Sequence, residues 1–193
     1  KVERMRKIFF LMAFFVCVIK SEDSFQKLGD IFRLAPLIPL AISIGIEDYE
    51  GAMQLALGTA ASQVSVEVIK LGFHTAHTQG ASVAFAKRPC CDEYRGMPSG
   101  HSAGAFSAAS YVYYRYGFRQ SLPLIGIGVA TAASRIHAKK HSFAQVLAGG
   151  AISWGFAWLF TSPYKPKNMV ITPEVGEDSL GGDMVGIRIG LRF

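Results

Sequence analysis

The chain has 193 residues, half of them hydrophobic and 18% charged, with a net charge of +6 and a mean hydropathy of +0.27. This length suits one domain with a sizeable core, and the composition is more apolar than that of an ordinary soluble domain. The basic residues are spread out, without zinc-finger spacing, a recognition-helix pattern or an aromatic platform. This argues against nucleic acid and favours anionic lipids or phosphate-bearing small molecules as partners.

The N-terminal segment, residues 1–21, has the pattern of a secretory leader. Basic residues within 1–7 precede an apolar run over residues 8–19, which is too short to span a bilayer comfortably. Ile19 and Ser21 make a poor match to the small residues of a cleavage site. A cleaved signal peptide and a retained N-terminal membrane anchor therefore both stay open.

Residues 22–165 are predicted to form an all-α bundle of about six helices. Helical spacing begins near Asp23 and within 35–46, and it recurs over 52–71, 102–116, 122–133 and 143–160, whereas 74–80 is predicted to be a loop. Many of these residues are small and allow close helix packing. Polar residues interrupt the apolar runs, so a compact bundle on or partly in a membrane is as consistent with the pattern as a polytopic protein.

The last segment, residues 166–193, changes from helical to strand periodicity. Apolar and polar residues alternate over 169–173 and 184–193, and turn-forming residues occupy 176–183. We therefore predict a short β-hairpin tail appended to the helical bundle.

The first chemically suggestive segment, Pro98 to His101, precedes a predicted helix. Ser99 is a good N-cap, and Gly100 allows a ligand to approach the backbone. Free N–H groups at a helix start bind anions such as phosphate, and His101 would stand beside that anion as a proton donor. Alone, the four residues also fit a capped turn with a surface histidine.

Two arginines and a second histidine complete the candidate site. Arg88 and Arg135 carry planar guanidinium groups that fit phosphate oxygens two at a time. Arg135 and His141 are six residues apart, so a turn between them is needed to bring both to one point, with Ser142 capping the next helix. Gln145 follows His141 by four residues and is expected to contact its imidazole.

Together, the segments Arg88-Pro89, Pro98-Ser99-Gly100-His101 and Ser134-Arg135-x5-His141 resemble the three-part signature of the type-2 phosphatidic acid phosphatase superfamily. The resemblance implies that His141 attacks phosphorus to form a phosphohistidine, and that His101 protonates the leaving oxygen and later activates water. It implies phosphoryl contacts for Arg88, Arg135 and the backbone of Ser99 and Gly100. No metal or cofactor is implied, because the arginines supply the positive charge.

The sequence departs from the family pattern at two positions. Ala81 stands where the first motif has a lysine, and we expect Lys87, or alternatively Lys70, to bind phosphate in its place. Gln145 stands where the third motif has an aspartate, so the hydrogen bond to the imidazole is kept without the negative charge. By analogy with a serine-protease triad, this loss can reach about 10⁴-fold in rate.

The leading functional interpretation is a metal-independent phosphatase in the bacterial cell envelope, periplasmic or facing the periplasm from the inner membrane. Its expected substrate is a phosphate monoester or diphosphate of a membrane lipid: undecaprenyl diphosphate, phosphatidylglycerol phosphate, phosphatidate or a lipid A phosphate. The alternatives are a soluble periplasmic non-specific acid phosphatase acting on small phosphate esters, and a catalytically weakened relative that only binds phosphate.

Overall fold

The computed structural model describes residues 22–165, 169–177 and 183–191. The leader predicted for residues 1–21 lies outside the described residues. The chain divides after Ser162 into a helical unit and a short C-terminal unit.

Six α-helices lie in the described part of the helical unit, as the periodicity predicts. They are α1 (Glu22–Phe32), α2 (Leu37–Gly45), α3 (Tyr49–Thr78), α4 (Gly100–Tyr116), α5 (Phe118–His137) and α6 (Phe143–Phe160), with a 3₁₀ turn at Ala84–Ala86.

Three of these helices begin at a side-chain cap. Asp48 accepts a hydrogen bond from the Gly51 N–H at 3.1 Å at the start of α3, and Ser99 accepts one from the Ser102 N–H at 3.4 Å at the start of α4. Ser142 forms a capping box at the start of α6. Such caps pair N–H groups that have no partner inside the helix. The predicted caps Ser99 and Ser142 are confirmed.

The loop prediction for residues 74–80 is wrong over most of its length. Helix α3 continues to Thr78, and only Gln79 and Gly80 end it. The residues of this stretch are polar and largely exposed to solvent. The His77 ring stacks on the Tyr94 ring, with the ring centroids 3.5 Å apart. The polar composition of this stretch therefore indicates the solvent-exposed end of a helix and not a break in the helix.

The centre of the bundle is α4, which packs against α3, α5 and α6. Most of its buried residues are alanine, glycine and serine, and such small side chains let helix backbones approach closely. Gly149 of α6 shows how close the approach is, because a Cβ added there would collide with the Ser99 carbonyl oxygen. This packing brings the start of α4 against the start of α6, where the candidate site lies.

A buried polar network links α2, α3 and α4 away from that site. The Asp48 carboxylate accepts hydrogen bonds from Arg115 Nε at 2.9 Å and from the Tyr116 hydroxyl at 2.7 Å. Burial by itself raises the pKa of Asp48, but the bonds from Arg115, Tyr116 and the Gly51 N–H outweigh it and hold that pKa at about 2. The ion pair is therefore charged at every physiological pH.

Apolar side chains remain exposed along the first two helices and the turn between them. Ile31, Leu34, Leu37 and Ile38 are each about half exposed or more. By length and composition, α6 is apolar enough to cross a membrane, and the pair Ser24–Phe32 with Leu37–Gly45, bent by 40°, passes the same test together. A contiguous exposed apolar surface of this kind is typical of membrane contact.

The C-terminal unit contains two strands among its described residues. β1 (Met169–Glu177) pairs antiparallel with β2 (Asp183–Leu191), in a register that sets Val175 opposite Val185. The middle of the predicted turn, residues 178–182, lies outside the described residues.

Candidate active site

The three motif segments converge at one end of the bundle. Ser99 N–H donates to the Gln145 carbonyl at 2.9 Å, which joins the start of α4 to the start of α6. The turn predicted between Arg135 and His141 is present, with Lys139 in the left-handed region at φ 53° and the His141 N–H bonded to the Arg135 carbonyl at 3.2 Å. The two histidines and two arginines predicted for the site thus come from adjoining elements.

His141 is held by two carbonyl oxygens on one side of its ring. Its Nδ1 lies 2.9 Å from the Gly96 carbonyl oxygen and 3.2 Å from Gln145 Oε1. Because both oxygens are acceptors, Nδ1 carries the hydrogen, and the neutral imidazole has its lone pair on Nε2. The side chain is buried. Such a histidine is oriented to use Nε2 as a nucleophile.

Two effects keep His141 neutral. Burial lowers its pKa first, and the charge of Arg88 lowers it further, with Lys70 contributing in the same direction. Hydrogen bonds to Gln145 and Gly96 oppose them only partly, and the pKa falls to about 4. The neutral imidazole is therefore the form present above that pH, and the positive charges of Arg88 and Lys70 near it suit an anionic ligand.

Gln145 connects His141 to the loop that carries Arg88. Its Nε2 donates to the Phe85 carbonyl at 3.0 Å and to the Lys87 carbonyl at 2.8 Å, while its Oε1 faces His141. The amide therefore uses both its donor and its acceptor ends, as a carboxylate could not. This arrangement gives a physical reason for glutamine at this position.

Arg88 has a donor available for a ligand. Its Nε lies 3.3 Å from Glu93 Oε2, outside hydrogen-bonding geometry, and this buried N–H has no hydrogen-bond partner among the described residues. Buried donors are normally paired, and a guanidinium N–H without a hydrogen-bond acceptor, whose charge acts on His141, is chemically suited to a phosphoryl oxygen.

Arg135 lies with His101 rather than with His141. Its Nη1 donates to Asp30 Oδ1 at 2.8 Å, and the same oxygen lies 2.8 Å from His101 Nε2. Burial lowers the pKa of His101 first and the charge of Arg135 next, while Asp30 raises it, and the net direction is downward. Asp30 was not predicted, because it stands in α1, far along the chain from every motif.

Two of the predicted phosphate contacts differ in this structure. The Lys87 ammonium pairs with Asp92 at 2.8 Å, and the Lys70 ammonium pairs with Glu67 at 2.6 Å. Lys70 Nζ also lies 3.3 Å from where a Cβ on Gly100 would stand. The Ser99 N–H is used by the Gln145 carbonyl, so the first turn of α4 offers Gly100 but not the amide of Ser99. Both candidate lysines therefore form ion pairs, and Lys70 is the one that lines the cavity beside His101.

A cavity of about 420 Å³ opens beside His101. One part of its wall is polar and charged, with Arg33 and Lys70 beside Glu67, and another part is apolar, with Leu34 and Leu37. The apolar part is continuous with the exposed surface of α1 and α2. This combination fits a ligand with an anionic group and an attached hydrocarbon.

Comparisons with known proteins identify the family of the chain. The sequence matches the PAP2 superfamily over residues 51–168. It is 42% identical to the lipid A 4'-phosphatase of Helicobacter pylori strain J99 over all of both chains, and 29% identical to the lipid A 1-phosphatase of Helicobacter pylori strain 26695 over 68% of this chain and 70% of that protein. Among solved structures, LpxE of Aquifex aeolicus has a TM-score of 0.54 at 20% identity and covers 77% of this chain and 92% of its own, which supports the helical fold.

Proposed function

The chain belongs to the PAP2 superfamily, and from that premise we propose that it removes a phosphate group from lipid A or a closely related phosphorylated glycolipid at the surface of the bacterial envelope. The observation that carries the proposal is the 42% identity to a lipid A 4'-phosphatase over the whole of both chains. The apolar part of the cavity wall and the exposed apolar residues of α1 and α2 support a lipid substrate over a soluble phosphate ester.

The proposed reaction proceeds in two displacements at phosphorus. Nε2 of His141 attacks, the Nε2–P bond forms, and the P–O bond to the sugar breaks while His101 gives its proton to the departing oxygen. Water then attacks phosphorus, His101 takes a proton from it, and the N–P bond breaks to release inorganic phosphate.

Positive charge around the phosphoryl group is proposed to come from protein side chains. The Nε–H of Arg88 has no hydrogen-bond acceptor among the described residues, and Lys70 and Arg88 both act on the pKa of His141. Arg135 lies on the side of His101. In this proposal Lys70 takes the part first assigned to Lys87. Preorganised cations of this kind stabilise developing charge without a metal ion.

In this proposal the site faces the periplasm, where a phosphorylated glycolipid of the envelope is accessible. The signal peptide or membrane anchor of residues 1–21 stays a prediction. The domain limits first drawn, a phosphatase domain over 22–165 and a tail over 166–193, are part of the same proposal.

The proposal is tested by phosphate release from bisphosphorylated lipid A in mixed micelles with EDTA, compared with nitrophenyl phosphate. We expect release from the lipid, loss of one phosphate by mass spectrometry, and no activity in His141→Ala or His101→Ala. His74→Ala, an exposed histidine of α3, is the matched control and keeps full activity. Activity on nitrophenyl phosphate alone would favour the soluble acid phosphatase, and vanadate binding without turnover would favour the weakened relative.

A further inference from the structure

The first helix contributes a carboxylate to the site. Asp30 Oδ1 lies 2.8 Å from His101 Nε2 and 2.8 Å from Arg135 Nη1, so one oxygen joins the two groups. Asp30 precedes the part of the chain that matches the PAP2 superfamily, residues 51–168. Asp30 itself belongs to none of the three motif segments, but its two partners do.

The close approach of α1 to the site is built into the packing. Gly29 lies so near α5 that an added Cβ would collide with Ser134 Oγ and stand 2.9 Å from Arg135 Nη2. Arg135 also donates a hydrogen bond to the Gln26 carbonyl. A glycine at this contact and a backbone bond from the guanidinium fix the position of the neighbouring Asp30.

The charges that face His101 come from three elements. Arg33 and Asp30 come from α1 and the turn after it, Arg135 comes from α5, and Glu67 and Lys70 of α3 line the same cavity. Burial, Arg135 and Arg33 all lower the pKa of His101, and the hydrogen bond and charge of Asp30 raise it.

We propose that Asp30 is a positioning residue for His101 and Arg135, an inference that rests on the proposed phosphatase function. By accepting from Nε2, the carboxylate holds the Nε2–H tautomer of His101, so that Nδ1 is the atom that exchanges a proton with the leaving oxygen. The same carboxylate orients the guanidinium of Arg135.

In the family pattern the histidine of the third motif has a carboxylate partner, whereas here the histidine of the second motif has one. His141 has the amide of Gln145 as its side-chain partner, whereas His101 has the carboxylate of Asp30. His101, the proposed acid–base residue, must carry a proton in the first step, and Asp30 favours that protonated form against the opposing effects of burial and Arg135.

A different reading is that Asp30 imitates a phosphoryl oxygen and blocks the site. The two interpretations predict opposite effects of Asp30→Asn. A blocking carboxylate, once neutralised, leaves an enzyme that is faster than the wild type across the pH range. A positioning carboxylate, once neutralised, leaves a slower enzyme with an altered pH profile.

The test compares wild type, Asp30→Asn, Asp30→Glu and the matched surface control Asp92→Asn. We expect Asp30→Asn to lower kcat about 10- to 100-fold with little change in KM. Its alkaline limb of kcat/KM is expected to move to lower pH by about one unit, because removing an opposite charge disfavours the protonated imidazole. Asp30→Glu is expected to recover part of this shift, and Asp92→Asn is expected to match the wild type.

Nitrogen-15 NMR of labelled histidines provides a readout that does not depend on turnover. In the wild type, neutral His101 is expected to carry its hydrogen on Nε2, and its pKa is expected to fall in Asp30→Asn. An Nδ1–H tautomer in the wild type, an unchanged titration in a folded Asp30→Asn protein, or a variant faster than the wild type overturns the inference. If the wild type instead releases no phosphate from lipid A, the proposed function fails, while the NMR result still decides whether Asp30 acts on His101.

Discussion

Replacing Gln145 by glutamate, which keeps the length and shape of the side chain, tests why this chain has an amide beside His141. In the native protein, Nε2 of Gln145 donates to the Phe85 carbonyl at 3.0 Å and to the Lys87 carbonyl at 2.8 Å. A carboxylate has no hydrogen to donate, so two carbonyl oxygens lose their donor and face a negative charge. The side chain is almost fully buried, so water cannot replace the lost bonds.

The size of the effect follows from those two contacts. A buried polar group that loses its partner costs about 1–3 kcal/mol, so the pair is worth about 3 kcal/mol of unfolding free energy. For a chain of this length, that lowers the Tm by roughly 6–12 °C. The loop that carries Arg88 is also released from His141. We expect kcat/KM to fall by about 10²-fold, the scale seen when one donor of a charge-stabilising site is lost.

Thermal unfolding and phosphate release from lipid A are measured on the same preparations. Gln120→Glu, an exposed residue in the first turn of α5, makes the same chemical change on the surface and is expected to change both quantities little. A Gln145→Glu enzyme that is as stable as the wild type and faster would refute the reasoning. In that case the carboxylate of the family pattern is simply the better partner for His141, and the amide has no structural role.

Three further outcomes follow from the geometry. Because the pKa of Asp48 is held at about 2, the free energy of unfolding is expected to fall by about 2 kcal/mol as pH falls from 4 toward 2. In urea unfolding, Asp48→Asn is expected to lack this dependence of stability on pH. Lys70→Ala is expected to lower kcat/KM about 10²-fold, and Lys87→Ala to change it little, in the same phosphate assay. The rate is expected to fall below pH 4 as His141 gains a proton, and to fall at higher pH as His101 loses one through a pKa below 6.5.

The helices and the motif positions were predictable because their signals are local. Apolar spacing identifies a helix within a dozen residues, and the caps Ser99 and Ser142 mark where α4 and α6 begin. The contact between His141 and Gln145 follows from their spacing alone. The end of α3 was missed at His74, because an exposed helical turn has the same polar composition as a loop.

The partners of the site from α1 and α3 could not be predicted from local patterns. Asp30 lies 71 residues before His101 and 105 before Arg135, and only the packing of α1 against α5 brings them together. The position of Lys70 beside Gly100 was equally hidden, because it depends on the packing of α3 against α4. Long-range contacts of this kind depend on tertiary packing, so no local sequence pattern predicts them.

The most direct test of the central proposal is to look for the phosphoenzyme. Enzyme quenched in base during turnover of lipid A is digested and analysed by mass spectrometry, since phosphohistidine survives base and is lost in acid. We predict a phosphoryl group on His141 that is absent from His141→Ala, which also releases no phosphate. Phosphate release by His141→Ala, or turnover by the wild type with the phosphoryl group on another residue, would contradict the account.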